Sequence, residues 1–191
     1  MFASSNQGKI TEVQHALRDT DWQIYPQSEY NIRSVAETGL TFVENAILKA
    51  RHAAQISGCP ALADDSGIVV DILGGAPGIY SARYAGDHAT AEANNSKLLT
   101  ALADIKSMSQ RKAYFVCVIV LLKSATDPTP QICFGDWHGQ IALEPRGIHG
   151  HGYDPVFYLP DLGCTAAEIT LAQKNQCSHR AAALKKLREV D

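Results

Sequence analysis

The stretch TFVENAILKARHAAQISGCPALADDSGIVV, residues 41–70, changes its hydrophobic period halfway along. Thr41-Phe42-Val43-Glu44 has the Thr-x-x-Glu pattern of a capping box. Val43, Ala46, Ile47, Ala50 and Ala54 then recur at helical spacing until Ser57, and Gly58 and Pro60 end the helix. Pro60-Ala61-Leu62-Ala63 leads directly into Asp64-Asp65-Ser66-Gly67, and Ile68-Val69-Val70 leads out. The two acids are therefore expected at the lip of a buried strand, within reach of Glu44, Asn45 and Lys49 on the helix before it. Two readings of the acids stand side by side. Mg2+ commonly takes one or two protein carboxylates and leaves its other positions to water and phosphate oxygens. A turn whose Asp side chains bond their own backbone uses the same residue types. Glu44 likewise has a full explanation as a cap.

Strands and helices continue to alternate outward from this stretch. Ile68 to Leu73 extends the strand, the glycine-rich run 74–78 breaks it, and Thr90 caps a helix reaching Ala103 with Leu98, Leu99 and Leu102 on one side. Lys112 to Lys123 reads as a central strand, and Gln131 to Leu143 as another, with Gly135 and Gly139 as bulges. Residues 145–154 form a glycine-rich loop, and Ser178 caps a last helix through about Val190. This order of elements predicts an α/β layered fold in one domain spanning 1–191, without repeats or linkers.

The chain has 191 residues, a formal charge of -3 and 46% hydrophobic content, which fits a substantial core. That charge offers no global attraction to a nucleic-acid polymer or an anionic membrane, and the densest basic stretch, Lys185 to Arg188, reads as a solvated helix face. Five cysteines without C-x-x-C spacing read as reduced thiols, and no leader or membrane span is present, so the expected location is cytoplasmic.

Three further segments carry chemistry. Ser4-Ser5-Asn6-Gln7-Gly8-Lys9 precedes an amphipathic segment through Val13 and Leu17, an arrangement that presents N–H groups and a lysine to phosphates or serves simply as a polar cap. It is not a Walker A loop, because Ala3 and Ile10 stand where Gly and Ser or Thr are required. In residues 147–155, three glycines interleave with His149, His151, Tyr153 and Asp154; such backbone approaches a flat ligand closely, while two imidazoles alone fall short of a zinc site. Ser178-His179-Arg180, with Lys174 upstream, places donors at a helix start, where a phosphate, a carboxylate or a base carbonyl is favoured. Arg83 reads locally as an ordinary exposed arginine.

Taken in order, these segments resemble the inosine/xanthosine triphosphate pyrophosphatase family over nearly the whole chain. The matching parts are SSNQGK at 4–9, ETG at 37–39, FVENAILKAR from 42, ADDSG from 63, GGAPGIYSARY from 74, GYDP from 152 and SHR at 178–180. The resemblance implies an elongated, twisted mixed sheet flanked by helices, two lobes with the nucleotide between them, and a homodimer. It implies Mg2+-dependent attack of water at the α-phosphorus of ITP, dITP or XTP, releasing monophosphate and pyrophosphate. By matching position, Ser4, Ser5, Asn6, Gln7, Gly8, Lys9 and Lys49 hold the triphosphate. Glu37 and Asp65 ligate the metal, and Asp65 is also the family's candidate proton acceptor. Asp64 and Ser66 support the site, with Glu44 and Arg83 as further supporting residues. His151, Gly152, Tyr153, Asp154, Lys174, His179 and Arg180 shape the base pocket.

One aspartate serves poorly as both a metal ligand and a free base, so the metal role is preferred for Asp65. Donors at His179 and Arg180 suit a 6-keto purine and are left unpaired by the 6-amino group of adenine, a mismatch that such sites reject by about 10⁴-fold or more. Two departures from the family are visible. His151 stands where a phenylalanine is usual, bringing a ring that ionises and hydrogen-bonds, and Met1-Phe2-Ala3 is shorter than the usual first strand. A pyrophosphatase for another modified nucleotide and a nucleotide-binding module without turnover are the competing readings; Glu37, Lys49 and Asp65 together argue against the second.

Overall fold

In the computed structural model, which describes residues 1–189, helices and strands alternate as expected. They are α1 (Gln7–Leu17), α2 (Phe42–Ser57), β1 (Ala61–Val70), α3 (Ala91–Ala101), β2 (Lys112–Leu122), β3 (Gln131–Ile141), β4 (Phe157–Leu159), β5 (Cys164–Thr165), α4 (Leu171–Cys177) and α5 (His179–Arg188). The predicted end of the last helix near Val190 lies outside the described residues. The five strands form one sheet in the order β1-β2-β3-β4-β5, and β3, β4 and β5 pair antiparallel, with Ile141 opposite Phe157. Phe2 adds parallel bridges to Leu62 and Pro26, so three residues before α1 do the work of a first strand. No helix among the described residues is long and apolar enough to cross a membrane.

The chain divides into two compact units, the first made of Met1–Asp65, Cys117–Gly135 and the chain from His179 onward, the second of Ser66–Val116 and Asp136–Ser178. In the first unit, strand alternation sorts the core. Leu62, Cys117 and Ile119 pack with Ile10, Val13 and Leu17 of α1 and Leu184 and Leu187 of α5. Ala61, Ala63, Val118 and Val120 pack with Ala46, Ala50, Ala53 and Ala54 of α2. Successive side chains of a strand point to opposite faces, so α1 and α5 cover one face and α2 the other. The alanines bring α2 close to the sheet.

The second unit packs Phe115, Trp137 and Phe157 together with Leu98, Leu102, Val156 and Ile169. Arg111 is buried beside this core, and its guanidinium donates to the carbonyls of Leu102, Ile105, Ile141 and Ala142. Burial lowers its pKa, and the four carbonyl dipoles compensate the charge.

Several boundaries differ from the sequence reading. β1 runs straight through Asp64 and Asp65 rather than ending there, and it stops at Val70, with Asp71–Leu73 forming a 3-10 turn. Neighbouring strands supply the hydrogen bonds that outweigh the turn preference of Asp, Ser and Gly. The α3 helix ends at Ala101 and β3 at Ile141. Gly135 and Gly139 lie within a continuous β3, and both are sites of close approach: a β-carbon at Gly139 would stand 2.5 Å from the Tyr158 carbonyl oxygen. Helix α4 went unread, although Thr170 and Gln173 form a complete capping box.

At Gly135 the added carbon would lie 1.9 Å from the His179 carbonyl oxygen and 2.6 Å from the Ala183 nitrogen. Gly135→Ala must therefore displace the start of α5. We expect a loss of about 1–3 kcal/mol, the usual cost of overpacking, read as a lower urea midpoint; unchanged stability would contradict the close approach.

Candidate active site

Asp64 and Asp65 occupy successive positions of β1 and so leave opposite faces of the strand. Asp64 points toward α1 and α5. Its Oδ2 accepts from Lys9 at 2.9 Å and from the Nη2 and Nε of Arg180 at 2.9 and 3.3 Å. Arg180 also pairs through Nη1 with Glu12 of α1, and all three of these last groups are buried. Burial alone would raise the Asp64 carboxyl, but the Lys9, Arg180 and Lys49 charges outweigh it and hold the group well below the usual carboxylate range. The nearby Cys117 thiol is pushed by burial up to about 12, so it adds no anion. Asp64 is thus a permanent charge locked into a buried network.

Asp65 faces α2, where Lys49 reaches it at 2.7 Å and also donates to Glu37 at 3.1 Å. Burial raises the Asp65 carboxyl even against the neighbouring Lys49 ammonium. Burial would lower the Lys49 pKa, yet Asp64, Asp65 and Glu37 outweigh it and raise it. One ammonium therefore sits where two carboxylates from different segments converge.

The loop carrying Glu37 is tied to the first turn of α2. Gly39 N–H donates to Asn45 Oδ1 at 2.8 Å, Leu40 N–H donates to Glu44 Oε2 at 2.8 Å, and Thr41 Oγ1 accepts from Glu44 N–H. Glu44 is exposed and serves the cap. A β-carbon at Gly39 would meet the Glu44 Cβ at 2.6 Å, so this turn requires glycine.

Ser4, Asn6, Gln7 and Gly8 surround the start of α1, with the Asn6 side chain capping Lys9 N–H. Ser5 Oγ accepts from buried Gln27 at 2.6 Å. Backbone N–H groups, two hydroxyls and Lys9 are thus gathered at the positive end of an eleven-residue helix. His179 and Arg180 open α5 in the same unit, both buried. The Arg180 donors assigned by resemblance to the base already meet Asp64 and Glu12.

The remaining candidates lie in the second unit. Asp154 Oδ2 accepts from Lys174 at 2.5 Å and from His151 N–H at 2.7 Å, with Asp154 and Lys174 both buried. Tyr153 is buried in the core and its hydroxyl donates to Ser81 O at 2.8 Å. His151 is exposed, and Ser66 is a half-buried residue of β1. Arg83 ends the Gly78–Arg83 turn with its guanidinium 5.2 Å from the Tyr80 ring centre.

Glu12, Gln27 and Asn95 escaped the sequence reading. Glu12 lies off the Ile10-Val13-Leu17 stripe, and nothing in its local spacing marks it as buried. Among the described residues, no group of three or more His, Cys, Asp and Glu is placed to hold a metal, so His149 and His151 do not complete a zinc site. Glu37 and Asp65 do fit Mg2+, which needs few protein carboxylates, because they already share one cation.

Chemically, this arrangement can bind a polyanion at a helix start while exchanging one internal ion pair for a second cation. It defines an α/β protein of the phosphate-handling kind. A family model described as the Ham1 family matches residues 1–190, and the chain belongs to that family. It is 57% identical to the dITP/XTP pyrophosphatase of Photorhabdus laumondii over 97% of this chain and 93% of that protein. Against the Escherichia coli protein of the same name, identity is 52% over 98% and 94%. The solved structure of a HAM1 protein from Coxiella burnetii superposes with a TM-score of 0.92 at 50% identity, covering 99% of this chain and 95% of that one.

Replacing Arg180 by Leu leaves Glu12 without that charge and Asp64 with one cation fewer. We expect a loss of about 3–5 kcal/mol in urea unfolding, as for other broken buried pairs. Arg180→Lys should recover only part, since an ammonium lacks the planar fork that meets both acids. Near-native stability of Arg180→Leu would contradict the structural role of this network.

Proposed function

We propose that the protein hydrolyses non-standard purine nucleoside triphosphates, ITP, dITP and XTP, to the monophosphate and pyrophosphate. The observation that carries this reading is the convergence of Glu37 and Asp65 on the Lys49 ammonium, with Asp64, the neighbour of Asp65 in β1, paired to Lys9 at the start of α1. The curated relatives named above, similar over nearly their whole length, support the same substrate class.

In this reading Ser4 to Lys9 and Lys49 bind the triphosphate oxygens, with Lys9 and Lys49 neutralising charge. Glu37 and Asp65 hold Mg2+, which when bound neutralises phosphate charge and orients water. Asp65 is half of an exchangeable ion pair with Lys49, which suits it to ligate a cation rather than to act as a free base. Asp64 stays ionised and holds Lys9 and Arg180 in position. Loop 147–154, braced by the Asp154–Lys174 pair, presents His151 to the purine. The family resemblance also supports a cytoplasmic homodimer that removes damaged nucleotides from the pool.

The test is product identity in ¹⁸O-enriched water with ITP, XTP, dGTP and ATP plus Mg2+. We expect pyrophosphate from the 6-keto inosine and xanthosine nucleotides in preference to ATP, with ¹⁸O in the monophosphate. Orthophosphate release, label in pyrophosphate or equal turnover of ATP would contradict the proposal. His151→Phe should keep activity; its loss would assign the imidazole a role beyond stacking.

A further inference from the structure

The loop at 145–152 borders open space. A cavity of about 860 Å³ lies between it and α3, walled by Asn95, Leu99 and Ala103 on one side and Ile148, His149 and His151 on the other. Side-chain packing does little to hold the loop there, since Ile148 is 92% exposed. Gly147, Gly150 and Gly152 all have positive φ, backbone that glycine adopts without strain but that supplies no side-chain anchor.

Backbone contacts fix the two ends. Ile148 and His149 N–H groups donate to Ala167 O, and His151 N–H donates to Asp154. From across the cavity comes Asn95 of α3, only 6% exposed, whose Nδ2 donates to Gly152 O at 3.0 Å. Its Oδ1 finds no hydrogen-bond partner among the described residues. The reversed amide would set two oxygens against each other, so the donor must face the loop. Asn94 beside it pins α3 by accepting from Ala85 N–H and donating to Ala82 O, which keeps the tether's base rigid.

We propose that Asn95 is a positioning residue for base selection: by holding the Gly152 carbonyl it fixes the peptide next to His151 and keeps the loop from sinking into the cavity. The inference rests on the proposed function, in which this loop meets the purine. In this role Asn95 acts through the loop, by its hydrogen bond to the Gly152 carbonyl.

The experiment compares wild type with Asn95→Ala and Asn95→Leu, the second filling the volume without restoring a donor. KM for ITP should rise about tenfold in both, the effect of one lost hydrogen bond, with kcat within about twofold. The preference for ITP over ATP should fall with it. Inhibition by inorganic tripolyphosphate, a probe without a base, should be unchanged. Asn95→Asp, of the same shape but without the amide donor, should shift KM in the same direction and serves if the smaller side chain prevents folding. An unchanged KM, recovery in the Leu variant, or equally weakened tripolyphosphate inhibition overturns the inference. Wild-type protein that fails to turn over ITP overturns the proposed function first, and this inference with it.

Discussion

Strand alternation at Asp64-Asp65 is the constraint on which the first unit depends. Two adjacent acids in a buried strand cannot share one partner, because their side chains leave opposite faces. Asp64 is consequently surrounded by helices α1 and α5, and its charge persists only because Lys9 and Arg180 meet it there. Glu12 balances Arg180 in turn. Such a network costs desolvation and is no general source of stability, but removing one member leaves the others buried with less compensation. It therefore fixes where α1 and α5 start relative to the strand.

Asp65 meets a different environment on the α2 face. Its partner is a single lysine shared with Glu37 on an irregular loop, and that ammonium is partly accessible. An ion pair built this way can open to admit another cation. The same helix holds the loop in place through Asn45, one turn before Lys49, so the stability of α2 and the geometry of the Glu37–Lys49–Asp65 cluster are one problem. The second unit solves a related problem with neutral hydrogen bonds as well as charge. Ser81 takes the Ile68 N–H on its hydroxyl and the Tyr153 hydroxyl on its carbonyl, which ties β1 to the glycine-rich loop just beyond Gly152.

The parts legible in the sequence were those with local causes. Helix α2 was readable to the residue because its cap and its αL glycine are encoded beside it. The course of β1 through Ser66 and Gly67 was not, since pairing with neighbouring strands decides it. Asp64 and Asp65 were visible as a motif, and resemblance supplied unequal roles, but the physical reason for the inequality needed the faces of the strand. Glu12 and Asn95 find their partners 168 and 57 residues away, so no local pattern marks them. Helix α4 is signalled locally only by its capping box, because seven residues show little apolar periodicity.

The division of labour between the two acids is tested most directly by Mn2+ binding in the presence of a non-hydrolysable inosine triphosphate analogue, followed by electron paramagnetic resonance in Asp64→Asn and Asp65→Asn proteins alongside their urea midpoints. The account predicts that Asp65→Asn abolishes cation binding at near-native stability, whereas Asp64→Asn unfolds about 3 kcal/mol more easily and still binds the cation while folded. Loss of cation binding in Asp64→Asn together with its retention in Asp65→Asn would contradict it.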